Sequence, residues 1–422
     1  MIFLQAKDRR TLWLRGTLLL ATFLGLLASS PAWTNTRTFP LLPVFNSFPI
    51  LPGPWDKILF SVMLGSLLAA VRFYRPAVIT FLATSLFAYC GDQNRGQPWL
   101  YMYWVMLSLS LFPTATALAA TRFALATVYL WGGIQKLNAR FFDVTPQWFV
   151  APAADWHLPP VAIDLLKLSV KSAPLVEIAI AVLLWFPKLR RIALALIIAT
   201  HSFALLFLGP LGHDYNWVVW PWNLAMLPLA LGLFSQHRLF AEPHVAVVEN
   251  SKLRPQERSN RTESKPPRDD AGISENFKQL IASRPALCVV ALYSLLPLLS
   301  FSGRWDSYLS FSLYSENLAV ANIFVTESFR ENLPAHLRRH AQPFPQAYDP
   351  ERQGPLTFSF TAWAYEEMHV PAISEPRNFE NIYRALRPYA KTPADLRMII
   401  GTRGGPVIFR EGDRVEFLQR SN

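Results

Sequence analysis

Long apolar runs separated by short polar loops fill the chain from Leu12 to Phe301. The first, from about Leu12 to Ala28, follows a basic stretch holding Lys7, Arg9 and Arg10. It reads either as a retained span or as a signal peptide, because its core Thr17–Leu27 is short and small residues follow. Pro31–Pro54 is Pro-rich and uncharged apart from Arg37 and Lys-free, the composition of a loop. Further runs cover Ile58–Phe73, Pro76–Cys90, Trp99–Phe112 and Phe123–Phe142, with the polar loop Gly91–Pro98 between the second and third of these. A loop from Asn138 to about Val170 precedes Ser172–Phe186, Ile192–Leu208 and Trp217–Phe234. Pro221 and Pro228 predict kinks in the last of these. Residues 235–284 turn polar and basic, and Pro285–Phe301 is a final apolar run.

About nine spans are therefore expected, each near the length needed to cross hydrocarbon. With the N-terminus on the cytoplasmic side, the basic turns at 72–75 and 188–191 and the 236–284 linker all fall inside, as positively charged loops do. Loops 91–98, 138–170 and 209–216 then lie outside together with residues 303–422. This tail carries strand-like runs at Leu356–Phe360, Arg397–Gly401, Val407–Arg410 and Val415–Leu418, a helical stretch near Asn378–Leu386, and a hairpin turn at Glu411-Gly412-Asp413. The expected fold is a polytopic α-helical membrane bundle (1–235 and 285–302) with a small extracytoplasmic α+β domain.

Composition agrees: 52% of the 422 residues are apolar and only 16% charged. The net charge of +11 sits largely in loops between apolar runs, which argues for a bilayer rather than nucleic acid as partner. Cys90 and Cys288 lie inside apolar segments and provide neither a disulfide framework nor a metal pattern. No metal is expected.

Lys136 changes the picture. It ends the run Arg122–Phe142, with Gly133, Gly132 and Tyr129 on its own helical face. A cation beside hydrocarbon must snorkel, pair or face a wet cavity. Two readings stay open: a lysine reaching the outer headgroups, or a partly desolvated amine able to act as a base. Glu177, in an apolar run, is its natural partner. His201 is either an interhelical hydrogen-bonding residue or a second catalytic group. The outer boundary adds Asp92 and Arg95, read as a local ion pair; Gln135 and Asn138; and His213 and Asn216, read as a helix-capping loop or as part of a site.

The stretch Tyr129-x-x-Gly-Gly-Ile-Gln-Lys-Leu-Asn138 resembles the signature helix of the vitamin K-dependent γ-carboxylases and of their bacterial relatives, the horizontally transferred transmembrane (HTTM) domain proteins. That resemblance implies a bacterial inner-membrane protein in which Lys136 is the base that deprotonates a membrane quinol. It also implies that His201 stands near the quinone; Tyr129, Gln135, Asn138 and Glu177, with Asp92, Arg95, His213 and Asn216, are the candidate substrate-binding residues. The departures are specific. Ala204 replaces the asparagine of an H-x-x-N pattern begun by His201, Gln135 replaces a second lysine, and Trp99 falls where a histidine assists carboxylation. Quinol deprotonation and oxygenation or epoxidation are compatible with these changes; carboxylation is not favoured. The alternative is a non-catalytic scaffold whose outer domain docks an extracytoplasmic protein. A transporter is disfavoured, since neither inverted repeats nor paired broken spans are visible.

Overall fold

Prolines and polar caps set where the helices begin. The computed structural model describes residues 8–214, 216–235, 272–345, 353–401 and 407–418. Helix α1 (Arg9–Ala28) starts where Asp8 accepts the Thr11 amide. It is followed by α2 (Gly53–Ala69), α3 (Tyr74–Gly91), α4 (Pro98–Leu109) and α5 (Thr114–Gln135). After α6 (Ala139–Phe149) come α7 (Pro160–Leu183), α8 (Arg190–Leu208), α9 (Val219–Phe234), α10 (Ile273–Ile281) and α11 (Arg284–Leu295). Proline opens the first turn of α2, α4, α7 and α11, where its missing N–H costs nothing. Pro228 lies inside α9, whereas Pro221 falls in its first turn.

Four helical segments among the described residues are long and apolar enough to cross a membrane: Arg9–Ala28, Thr114–Gln135, Arg190–Leu208 and Arg284–Ser302. The α5 window is 83% buried and that of α8 only 22%, so α5 is the axis around which the others pack. Large apolar side chains such as Leu20, Ile79, Leu175, Ile198 and Leu292 are exposed along this part of the chain. Beyond Phe301 only Val415 and Phe417 are, among the described residues. A greasy exterior on one part and a polar exterior on the other is the surface division expected of a membrane bundle with a water-facing cap.

Several boundaries differ from the sequence expectation. The central helix begins at Thr114 and stops at Gln135, so Phe142 belongs to a separate helix, α6, capped where the Asn138 side chain accepts the Phe141 amide. The expected 138–170 loop is largely helical, because Pro160 starts α7 twelve residues before Ser172. Most of the 236–284 linker lies outside the described residues, and its end forms α10.

The arginines read as loop charges are in part structural. Arg10 donates to the carbonyls of Gly232 and Ser235, Arg122 to Leu233, and Arg190 to Leu184, at 2.7–3.0 Å. Arg15 reaches the Ser110 carbonyl at 3.1 Å. Each guanidinium satisfies carbonyls that a helix end leaves unpaired. The helix ends expected on the cytoplasmic side are thus tied together.

The C-terminal part holds a six-stranded antiparallel sheet, order β2-β3-β1-β4-β5-β6. Its strands are β1 (Val320–Val325), β2 (Ala341–Pro345), β3 (Gln353–Phe358), β4 (Leu396–Gly401), β5 (Val407–Glu411) and β6 (Arg414–Leu418). Helices α12 (Glu327–Asn332), α13 (Ala335–Arg338), α14 (Phe360–Met368) and α15 (Pro376–Leu386) complete it. Ile323, Phe358, Met398 and Ile400 from the strands and Trp363, Phe379 and Ile382 from the helices are buried. β5 and β6 join through Gly412-Asp413, Glu411 standing opposite Arg414 and Gly412 taking φ 57°, so the hairpin turn falls where expected. Strands β1 and β2 were not anticipated, and Phe360 starts a helix rather than ending a strand.

Candidate functional site

Helices α5 and α7 approach closely where Gly132 and Gly133 face Pro174–Ile178. A Cβ on Gly133 would lie 2.6 Å from the Pro174 carbonyl oxygen and 2.8 Å from Cγ1 of Ile178. One on Gly132 would lie 2.9 Å from Glu177 Oε2. Only glycine permits this spacing. It brings the carboxylate of Glu177 against Lys136, whose Nζ donates to Oε2 at 2.8 Å, to Oε1 at 3.1 Å and to the Gly132 carbonyl at 2.9 Å. The amine therefore folds back along its own helix instead of reaching outward. Both side chains are largely removed from solvent, at 13% and 15% exposure. Glu177 sits nearly five turns into α7.

The pair opens onto a cavity of about 390 Å³, at the small end of the roughly 300–1,000 Å³ range of ligand pockets. Its wall is mainly apolar, with Val128, Val176, Leu196, Phe203 and Met226 among the lining residues. On the same cavity stands a second polar group. Tyr129 Oη lies 2.8 Å from Nε2 of His201, and His201 Nδ1 lies 2.6 Å from Oδ1 of Asn223. The Asn223 amide nitrogen donates to the Val219 carbonyl at 2.7 Å, which fixes its oxygen toward the ring. Nδ1 is then the protonated nitrogen, and Nε2 accepts from the tyrosine hydroxyl. Tyr129, Lys136, Glu177 and His201 thus converge on one hollow. Asn223 was missed by sequence reasoning. It reaches His201 from α9, a contact between helices that no local spacing announces.

The remaining candidates do not line this cavity and instead bond neighbouring segments together. Gln135 is buried, bonded to Ser300 Oγ and accepting from Asn317. Asn138, besides capping α6, donates to the Ser315 carbonyl at 2.8 Å. His213 stacks on Trp148, ring centroids 4.5 Å apart, and Tyr314 stacks on Trp148 at 5.8 Å. Asn216 donates to the Tyr314 hydroxyl. Together they fix the stretch 311–317, whose Phe311, Leu313 and Tyr314 roof the cavity. Phe311, Tyr314 and Glu316 all have positive φ, near 56–60°, a conformation non-glycine residues hold only when their surroundings impose it.

Asp92 pairs with Arg37 and not, as expected, with Arg95, which donates instead to the carbonyls of Ala32 and Ala88 and to Asn35. Burial alone would raise the Asp92 carboxyl. Arg37, Arg95 and the Leu42 amide together outweigh that and hold it below its ordinary value. Neighbouring Gln93, Asn94 and Gln97 bond to Arg377, to Ile373 and Asn378, and to Pro371. Loop 91–98 is thus the seat of the C-terminal domain.

Among the described residues there is no group of three or more His, Cys, Asp or Glu side chains that could hold a metal. No family model, no curated protein and no solved structure matches the chain.

Proposed function

We propose that this is a multi-pass membrane enzyme that binds a membrane-soluble molecule with a weakly acidic hydroxyl head, of the quinol class, and removes its proton. In this reading the chain crosses the bilayer about nine times, with its N-terminus and the 236–284 segment cytoplasmic and the C-terminal domain outside. The setting is a bacterial inner membrane, and the protein is akin to the carboxylase-like HTTM group through the Lys136 stretch. Clustering of the outer loops around the C-terminal domain, and of arginine-capped helix ends at the other side, supports that sidedness.

One observation carries the proposal: the inward-folded Lys136–Glu177 pair shares a mainly apolar cavity with the Tyr129–His201–Asn223 chain. A hydroxyl placed at the pair meets a carboxylate able to accept its proton and an ammonium able to stabilise the oxygen left negative. The lysine implied as base by the resemblance is in direct contact with Glu177, and the two act as one unit. Tyr129 and His201 are set to exchange a proton along their hydrogen bond, with Asn223 keeping the imidazole in the required tautomer. Deprotonation of a quinol needs these elements only; its oxidation or epoxidation would in addition consume dioxygen as the oxidant. The trial is turnover of a reduced naphthoquinol by reconstituted protein. Lys136→Ala is expected to abolish it while insertion and folding persist, and unchanged turnover removes the reading.

A second reading, a non-catalytic component with an extracytoplasmic partner, draws on the β5–β6 hairpin, where Phe417 is 68% exposed. A stoichiometric partner that depends on residues 303–422 and ignores Lys136 would favour it.

A further inference from the structure

From the walls of the cavity we infer that its ligand arrives sideways out of the bilayer, through a slot between α7 and α8, and that its long apolar tail remains in that slot. The inference rests on the cavity being a ligand site and adds the route and the shape of what it takes.

Helices α7 and α8 form an antiparallel pair joined by a short turn. Near that turn they pack closely: Ile180, Leu184, Ala193 and Ile197 are all fully buried. Farther out the packing gives way. Ser169 on α7 and Ala199 on α8 line the cavity and are nevertheless exposed on the outer surface of the bundle. The residues between them, Ser172, Ala173, Thr200 and Ala204, are small. A residue that faces both an interior hollow and the outside marks an opening, and small side chains keep it open. Leu165, Leu168, Leu175 and Ile198, exposed beside it, are apolar, and the one exposed charge next to Ser172 is Lys171, whose long stem lets its ammonium reach the headgroups, so the opening looks mainly onto hydrocarbon.

The route from the aqueous side is closed by comparison. Phe149, Phe203 and Phe207 pack at centroid distances of 4.8–5.8 Å, with Trp156 against Phe207, above the slot. The His213–Trp148–Tyr314 stack and the 311–317 stretch cover the roof. A polar, water-borne substrate would have to displace these rings, whereas a lipid-borne one displaces only acyl chains. The hollow is also small for a long-chain amphiphile, so a polar head fills it while the chain stays in the slot. The fitting class is an amphiphile with a compact hydroxylated head on a single long apolar chain.

The experiment uses the full chain in lipid nanodiscs and a phenol with a fifteen-carbon chain bearing a diazirine midway. After irradiation, adducts mapped by mass spectrometry are expected on Ser169–Val176 and Leu196–Ala204. Ala199→Trp, at a position facing lipid, and separately Ser169→Trp should each lower that yield at least tenfold. Lys136→Ala should retain adducts on the slot even where turnover is lost. Slot adducts together with normal turnover in Lys136→Ala would sink the proton-transfer reading alone and leave the route standing. Adducts concentrated on α6 and 311–317, no adducts above background, or yields unchanged in both tryptophan variants would overturn the lateral route.

Discussion

Removing one partner of the Lys136–Glu177 pair tests whether the two charges are held in a poorly solvated hollow. At 2.8 Å, unit charges attract by roughly 6 kcal/mol at an effective dielectric of about 20. Desolvation offsets much of this, but desolvation is not recovered when one partner alone is removed. Breaking a buried pair in that way costs about 3–5 kcal/mol. Because both side chains keep some exposure, and Lys136 retains its bond to the Gly132 carbonyl, Glu177→Gln should fall near the lower end, about 3 kcal/mol. Lys136→Met should cost a similar amount. The double variant Lys136→Met/Glu177→Gln leaves no stranded charge and should cost far less than the sum, a coupling of about 2 kcal/mol or more against the 0–1 kcal/mol of a surface pair. Unfolding in mixed detergent micelles, followed for all four proteins, measures the cycle. Turnover adds a second readout, since the double variant should regain stability without regaining activity. Additive losses, each below about 0.5 kcal/mol, would mean a solvated pair and would refute the reasoning.

Other expectations follow from the same geometry. Gly133→Val places a side chain 2.6 Å from the Pro174 carbonyl, so α5 and α7 must separate; thermal scans should show a loss of at least about 2 kcal/mol, and wild-type stability would contradict the packing. Asn223→Leu removes the acceptor of His201 Nδ1 and should lower turnover more than it lowers stability, with Asn223→Asp restoring part of the activity; equal losses in both variants would make Asn223 merely structural. Asp92 gives a pH dependence. Its folded carboxyl is held below the ordinary 3.8, so its contribution is complete above that value and lost as pH falls through the lower, folded value. Acid unfolding of the wild type should steepen below about pH 3.8, and Asp92→Asn, already destabilised by a stranded Arg37, should lack that component.

Much of this arrangement was legible in the chain, for identifiable reasons. Lys136 stood out because a cation in an apolar run needs a partner, and Glu177 was the acid within reach of the neighbouring run. Two glycines at 132 and 133 marked the face of Lys136, and it is there that α7 approaches. The course of 138–170 was not legible, since α6 and the first turns of α7 mix charges with apolar residues as a loop does. The remaining polar candidates were ambiguous for a simple physical reason: a polar side chain at a helix end serves equally to line a site or to anchor a neighbouring segment. Gln135, Asn138, Asp92, Arg95, His213 and Asn216 do the second. The Asn223 contact was invisible because it joins helices separated by the 209–216 loop; β1 was invisible because its partners β3 and β4 lie far along the chain, and β2, which pairs with the next strand, because Pro343 and Pro345 speak against a strand.

Lipids that stay with the protein through mild detergent extraction give the most direct measurement. Mass spectrometry of wild type and of the Lys136→Met/Glu177→Gln double variant, purified side by side, compares what each cavity retains. The account predicts a hydroxylated, long-chain ring compound enriched near one equivalent in the wild type and at least tenfold depleted in the variant. Lipid profiles identical to each other and to the bulk membrane would contradict it.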